Sequence, residues 1–253
     1  MKWALKNEER ILAKPKSKAK CPICNDEVIS KCGSIKIWHW SHKANKDCDN
    51  WYEPETEWHL NWKNEFPKEC QEFTMGKHRA DIRTNDRWII ELQNSSISSE
   101  DIIEREKYYK RMIWLLNGET LGKGLILKKK NGIITFRWKN PPKSWWNSKK
   151  EIYVDFSDKQ KEKSTWIEEY TDYSYYWDEV YNGRYDEDEK EEYGETYGGY
   201  YKIEGEGMDR EIFYIKKIYH NIPCGGWGIL ISKEDFLSKF KGKENDIKTI
   251  KEP

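Results

Sequence analysis

Asp81, Glu91 and Gln93 stand in the order D-x9-E-x-Q, and the segments that carry them, HRADIRT and RWIIELQ, flank an Asn85-Asp86 turn signal. Read as a β-hairpin, these strands alternate their side chains. Ile89, Glu91 and Gln93 then share one face, and Arg79, Asp81 and Arg83 share one face of the partner strand. The hairpin brings Asp81 beside Glu91 and Gln93. Two neighbouring carboxylates repel, and burial makes both charges costly. A divalent cation such as Mg²⁺ or Mn²⁺ resolves the conflict, because it takes carboxylate, phosphate and water oxygens as ligands. Bound there, it acidifies a water and stabilises charge at a phosphate. Gln93 has no basic nitrogen, so its part in such chemistry is to orient a water or phosphate by hydrogen bonds. A Glu and a Gln on the exposed face of an edge strand would give the same spacing.

A second set lies upstream. Glu55, His59 and Lys63 follow at i, i+4 and i+8 in EPETEWHLNWKNEF, which reads as a helix with Pro54 at its first position. One face carries all three, with Glu53 and Glu57 as alternatives under a shifted helical phase. Lys63 offers a cation to a phosphate, and His59 a hydrogen bond or a proton relay. A third set is CPIC, with Cys21 and Cys24, followed by WHWSH, with His39 and His42, and then by Cys48. Five candidates for the four positions of a tetrahedral Zn²⁺ site follow from this spacing. Cys21, Cys24, His42 and Cys48 are the favoured ligands. His39 sits inside IKIWHWS, which reads as a strand, so it supports the site or faces nucleic acid. Cys32 reads as a packing residue.

The elements that must position these residues follow in order: helix, strand, strand, helix, strand. SSISSEDIIEREKYYKRM starts with Ser and acidic residues and reads as the second helix. MIWLLNG reads as a buried strand stopped by Asn-Gly. Farther on, GLILKKKNGIITFRW reads as a hairpin about Asn131-Gly132, EIYVDF and EIFYIKKIY as strands, and SKEDFLSKFKG as a capped helix. The tract YDEDEKEEYGETYGGYY has charge, Gly and little aliphatic content, the composition of a solvated or disordered loop. Three regions follow: a zinc-finger-like segment over 1–50, a core over 51–120, and a β-rich accessory region over 121–253. The fold class is α/β (α+β), a mixed sheet with flanking helices.

The 253 residues carry 36% charged residues, 14 Trp and 16 Tyr, with a formal net charge of zero. A globally basic nucleic-acid binder is not indicated, although the first fifty residues are Lys-rich. The start, MKWALKNEER, lacks the apolar stretch of a signal peptide, and no run is long enough to span a bilayer. The expectation is a cytoplasmic protein with no membrane partner, whose six cysteines are thiols or metal ligands.

Read together, the motifs resemble a known family. The D-x9-E-x-Q strands are similar to the catalytic core of the PD-(D/E)XK superfamily, with Gln93 at its usual Lys position. The succession CPIC, a Gly-containing hairpin, WHWSH, Cys48, E-T-x2-H-x3-K, RADI, IIELQNS, R-x3-Y and IWLL, over residues 18–117, resembles the competence protein CoiA family. That family has HFAH where this chain has WHWSH, and ES where it has Glu55-Thr56. The resemblance implies a restriction-endonuclease-like DNA nuclease domain behind a zinc-binding segment, working in DNA uptake and recombination beside competence or recombination proteins, or on mobile DNA. It implies Asp81, Glu91 and Gln93 as the core, Glu55, His59 and Lys63 as the helix contribution, and Ser95, Arg105 and Tyr109 as structural or phosphate-contacting positions. Lys63, Arg79 and Arg105 are the expected nucleic-acid contacts. Two other functions fit the sequence: an inactive zinc-stabilised DNA-binding or protein adaptor, and a structural interaction protein that uses the acidic Tyr-rich tract.

Overall fold

The computed structural model describes residues 1–43, 48–51, 53–122, 125–130, 133–138, 142–156, 202–204, 212–219 and 224–241. The Asn131-Gly132 turn and the acidic Tyr-rich tract lie outside them. Among the described residues the structure is mixed α+β, with two sheets and three α-helices.

The small sheet is formed by β1 (Trp3–Lys6), β2 (Glu9–Leu12), β3 (Lys18–Lys20), β4 (Glu27–Lys31) and β5 (His39–His42), in the order β2-β1-β3-β4-β5. All its pairings are antiparallel. Its core is Met1, Ala4, Ala13, Ala19, Cys21, Val28 and Trp40. With so much alanine, this core buries little apolar area.

The large sheet contains β6 (Gln71–Met75), β7 (His78–Arg83), β8 (Ile89–Gln93), β9 (Met112–Asn117), β10 (Leu125–Lys130), β11 (Ile133–Trp138), β12 (Glu151–Asp155), β13 (Lys202–Glu204), β14 (Ile212–Tyr219) and β15 (Cys224–Ile231). Their order is β13-β10-β11-β15-β14-β12-β9-β8-β7-β6. Parallel pairings place β9 between β8 and β12, so the residues after 121 continue the sheet that starts at β6. MIWLLN is buried at every position, as a central parallel strand must be.

Helix α1 (Glu57–Asn64) and helix α3 (Lys233–Lys241) cover one face, where Trp58, Trp62, Phe236 and Phe240 pack on Ile90, Leu92, Ile113, Leu115 and Tyr153. Helix α2 (Ser99–Tyr109) covers the other, where Ile102 and Tyr109 pack on Ile89, Trp114 and Leu116. The helix predicted from Pro54 starts later. Thr56 is its N-cap, and Thr56 and His59 form a capping box, which satisfies two backbone donors at once. Glu55 therefore lies in the extended stretch ahead of α1. Trp58 and Trp62 both donate their indole N–H to Asp155 Oδ2, at 2.7 Å each, which fixes α1 over β12.

Candidate active site and Cys3His centre

The β7–β8 hairpin closes at Thr84, whose N–H bonds Trp88 O at 2.8 Å. Its ladder pairs Ile82 with Ile90 and Arg83 with Ile89, a register that sets Asp81 opposite Glu91 at the next step. There side chains take over from backbone. Asp81 N–H donates to Glu91 Oε1 at 3.3 Å, and Leu92 N–H donates to Asp81 Oδ2 at 3.0 Å. Strand alternation also breaks at this point, since Ala80 belongs to the core under α2 and Ile82 to the core under α1. Asp81 thus sits between the two faces instead of on one. Across β6, Glu72 is at φ +46°, a left-handed conformation that costs a non-glycine residue about 1–2 kcal/mol.

A cavity of about 30 Å³ at this opening has room for a water or a small ion. Six carboxylates line it, Asp49, Glu53, Glu55, Glu72, Asp81 and Glu91, with Lys63, Arg79, Arg105 and His59 among them. Lys63 Nζ lies 3.0 Å from Asp81 Oδ1, 2.9 Å from Glu55 Oε1 and 3.4 Å from Glu72 Oε1. Burial disfavours its charge, but these three carboxylates hold the ammonium protonated far above the ordinary lysine range. Burial likewise opposes ionisation of Asp81, and Lys63 overrides it, so that acid is stronger than usual. Glu91 goes the other way. Burial and the neighbouring Asp81 charge push it up to about 8, against the opposing pull of Arg105. The facing pair therefore shares one negative charge at neutral pH, as coupled carboxylates do.

Supporting contacts explain how the chain holds this arrangement. Arg105, from α2, donates NH1 to Glu91 Oε2 at 3.0 Å and NH2 to Trp51 O at 2.9 Å. Asp49 accepts from Trp51 N–H at 3.0 Å and Arg79 N–H at 2.9 Å, and its Oδ1 lies 2.9 Å from His78 Nδ1. Trp51 stacks on His78 with centroids 3.4 Å apart. Glu72 accepts the N–H of Lys2 at 2.9 Å and of Trp3 at 3.1 Å, which ties the small sheet to the wall of the site. Burial opposes its ionisation too, but Arg79 and Lys63 keep its carboxyl well below the usual range.

The predicted residues fall into three groups. Asp81, Glu91, Glu55, His59 and Lys63 converge on the cavity, Glu55 by reaching Lys63 from outside the helix. His59 engages Thr56 through Nδ1, and its Nε2 lies 3.6 Å from Glu53 Oε2. Gln93 is buried but does not line the cavity, and its Nε2 donates to Ser95 O at 3.0 Å. Arg79 and Arg105, expected to meet nucleic acid at the surface, are instead turned inward and paired with Glu72 and Glu91. Lys63 is likewise an internal cation. Tyr109 is buried against Trp51, with a hydroxyl that has no hydrogen-bond partner among the described residues. Sequence reasoning missed Asp49 and Glu72, and weighed Glu53 only as an alternative. The CDNW run puts Asp49 next to Cys48, and that adjacency was the available signal.

Lys63→Met is expected to destabilise the protein by about 3–5 kcal/mol, because three buried carboxylates lose their common counter-ion. Denaturant unfolding in a buffer free of Mg²⁺ and Mn²⁺ that spares the Cys3His metal measures this, and Lys63→Arg, which keeps the charge, should lose less. Equal stability of wild type and Lys63→Met would contradict the ion network.

Beside the small sheet, the ligand atoms of Cys21, Cys24, His42 and Cys48 all lie within 4.8 Å of one another. Cys21 Sγ is 3.5 Å from Cys48 Sγ, and Cys24 Sγ is 3.2 Å from His42 Nε2. Burial and the adjacent thiols push Cys48 up to about 12. These are the four favoured ligands. His39 is not in the group, and its Nδ1 lies 2.7 Å from Ile37 O. Cys32 packs against the small core. Among the described residues, no helix is long and apolar enough to cross a membrane.

Two family models match. The N-terminal domain of competence protein CoiA matches residues 4–50, and the nuclease-like domain of competence protein CoiA matches residues 56–174. Competence protein CoiA of Bacillus subtilis (strain 168) is 42% identical over 46 residues, a stretch covering 18% of this chain and 12% of that protein. No solved structure matches.

Proposed function

This chain belongs to the competence protein CoiA family, and from that premise we propose that it is a metal-dependent DNA nuclease of the PD-(D/E)XK kind. The observation that carries this reading is the meeting of Asp81 and Glu91 where the β7–β8 ladder opens, with the Lys63 ammonium 3.0 Å from Asp81. The surroundings fit a hard cation. The donors are oxygens, and Glu53 Oε1, on the cavity wall, is buried without a partner among the described residues. Asp81 and Glu91 would hold Mg²⁺ or Mn²⁺, with Glu53 close by. The chemistry such a cation supplies is charge stabilisation at the scissile phosphate and a more acidic attacking water.

The chain's own residues supply the rest. Lys63 brings to the cavity the ammonium that Gln93 cannot, and Glu55 and Glu72 keep it charged and aimed. Arg105 positions Glu91. Asp81, with a side chain 23% exposed against 4% for Glu91, is where a phosphate would enter. The Cys3His group would hold Zn²⁺. Ligands about 2.3 Å from a tetrahedral zinc lie roughly 3.5–3.8 Å apart, close to the spacings in this cluster. Work on incoming or mobile DNA, beside recombination or competence proteins, follows from the family.

Purified protein should cut plasmid or single-stranded DNA with Mg²⁺ or Mn²⁺ present, and chelation should stop it. A second reading is an inactive, zinc-stabilised DNA-binding or protein adaptor. It is favoured by Gln93 at the lysine position and by the cations already paired with Asp81 and Glu91. DNA retained but never cut would support it over the nuclease.

A pH test follows from Glu91, whose proton must leave before the site binds a cation. Mn²⁺ affinity is expected to rise about tenfold per pH unit while Glu91 is protonated, then flatten above about pH 8. Isothermal titration calorimetry across this range measures it, and constant affinity from pH 6 to pH 8 would remove Glu91 as the titrating ligand.

A further inference from the structure

The register of the small sheet assigns each strand residue to one of two faces. Ala4, Ala19, Val28 and Trp40 point into its core. The paired residues Leu5 and Arg10, Leu5 and Lys20, Lys18 and Ile29, and Lys31 and His39 lie on the opposite face. Trp3 and Arg10 seat one end of that face against the large sheet. Trp3 Nε1 lies 3.4 Å from Gln71 Oε1, and Arg10 donates to Lys68 O and Gln71 O at 2.7 and 2.6 Å. These contacts adjoin Glu72, a wall of the candidate active site. From β1 the face runs outward across β3 and β4 to β5, three strand spacings or about 14 Å. Lys18, Lys20 and Lys31 stand exposed along it.

The β4–β5 loop, at the end of the outermost hairpin, carries large apolar side chains in water: Ile35 is 95% exposed and Trp38 52%. The Trp38 ring is not loose, because its Nε1–H donates to Gly33 O at 3.2 Å. Exposed Lys36 lies between them. Residues 1–43 hold ten Lys and Arg against four Asp and Glu. Lys20, Lys31 and Lys36 have no ion-pair partner among the described residues, while Lys18 and Lys43 are paired with Glu27.

We propose that this face of the small sheet binds single-stranded DNA and leads it to the Asp81–Glu91 cavity, with Trp38 as the stacking platform at its outer edge. The proposal rests on the nuclease reading for its direction, not for the binding. Lysines that follow a backbone, beside an aromatic ring held open to solvent, are the combination that unpaired strands require. A duplex has no free base face to offer Trp38.

The test uses the full chain carrying Asp81→Asn, in a chelating buffer that spares the Cys3His metal, and fluorescence anisotropy of a labelled oligo-dT against a labelled duplex. Single strands should bind more tightly. Trp38→Ala should weaken oligo-dT binding roughly tenfold or more. Lys20→Gln with Lys31→Gln should lower the slope of log affinity against log salt by about 1.4. Lys107→Gln, on α2, is the control and should change nothing. Metal content and circular dichroism establish that each variant folds. Unchanged binding in both the Trp38 and lysine variants, a duplex preference, or no DNA binding at all would overturn the proposal. Cleavage by the wild type is scored separately. Binding through this face without cleavage removes only the nuclease, whereas cleavage with unaltered binding in the variants removes only this face.

Discussion

Asp81→Asn is expected to abolish DNA cleavage while costing little stability. The two effects separate because Asp81 shares its structural work. Lys63 keeps Glu55 and Glu72 as partners, at 2.9 and 3.4 Å, so no buried ammonium is stranded. An amide oxygen can still accept the Leu92 N–H that Asp81 Oδ2 now takes at 3.0 Å. The loss should stay near the 1 kcal/mol of a single weakened hydrogen bond. The catalytic loss is of another order, because the charge deleted is the ionised member of the pair. Without it, Glu91 loses the like charge that helps hold its proton, and its pKa should drop toward the ordinary range. The remaining site has one fewer anionic ligand and a different proton inventory. Glu91→Gln should also fold, since at pH 7 the carboxyl it replaces is already protonated, and should also fail to cut. Both variants should retain bound DNA. Plasmid nicking and oligonucleotide cleavage, read beside denaturant midpoints, test the pair. Wild-type cleavage by Asp81→Asn would end the proposed mechanism, whereas loss of folding would recast Asp81 as structural.

How much of this site can be read from the residues depends on how local each signal is. The hairpin is legible because alternation and Asn85-Asp86 mark it, and Asp81 and Glu91 do face each other. The break in alternation at Asp81 is not legible, since it depends on which core claims Ala80 and which claims Ile82. The Glu55–Lys63 contact follows from their spacing even though Glu55 lies outside α1, because an extended N-terminal arm can still reach a lysine two turns on. Glu72 is hidden. QEFTM has no apolar alternation, and its carboxylate points inward through a left-handed backbone that no propensity favours. The arginines mislead for a general reason. A basic residue near predicted catalytic carboxylates fits a phosphate contact and an internal counter-ion equally well, and burial alone decides. Arg79 and Arg105 are internal. The lysines of the proposed DNA face lie on the small sheet, where sequence shows only lysine abundance.

Removing metal from the Cys3His group is expected to unfold the small sheet and loosen the active site with it. The small core contains one tryptophan, one methionine, one valine, one cysteine and three alanines, too little apolar area to offset the ordering of five strands. Structural zinc supplies apparent folding free energy on the order of 10 kcal/mol in comparably small domains. Without a cation, Cys48 sits among thiols that resist ionisation, and the Cys21–Cys24 turn keeps only local bonds such as Cys21 N–H to Asp26 O at 2.9 Å and Asn25 N–H to Cys21 O at 3.0 Å. The effect should travel because Cys48 adjoins Asp49, which anchors Trp51, His78 and Arg79, and because Arg105 takes Trp51 O as well as Glu91. Glu72 extends the damage, since it accepts N–H groups from Lys2 and from Trp3, the first residue of β1. A strong chelator, or Cys24→Ser, should therefore speed amide exchange across β1–β5, and then, to a smaller extent, in the 48–51 segment and β7, while β9 and β12 in the large core stay protected. Cys32→Ser, outside the four-atom cluster, should leave both metal content and exchange unchanged. Undisturbed exchange in the small sheet after complete metal removal would mean that its few core side chains suffice. Exchange confined to that sheet, with β7 and the active site untouched, would break the proposed link through Asp49 and Trp51 while leaving the metal's structural role standing.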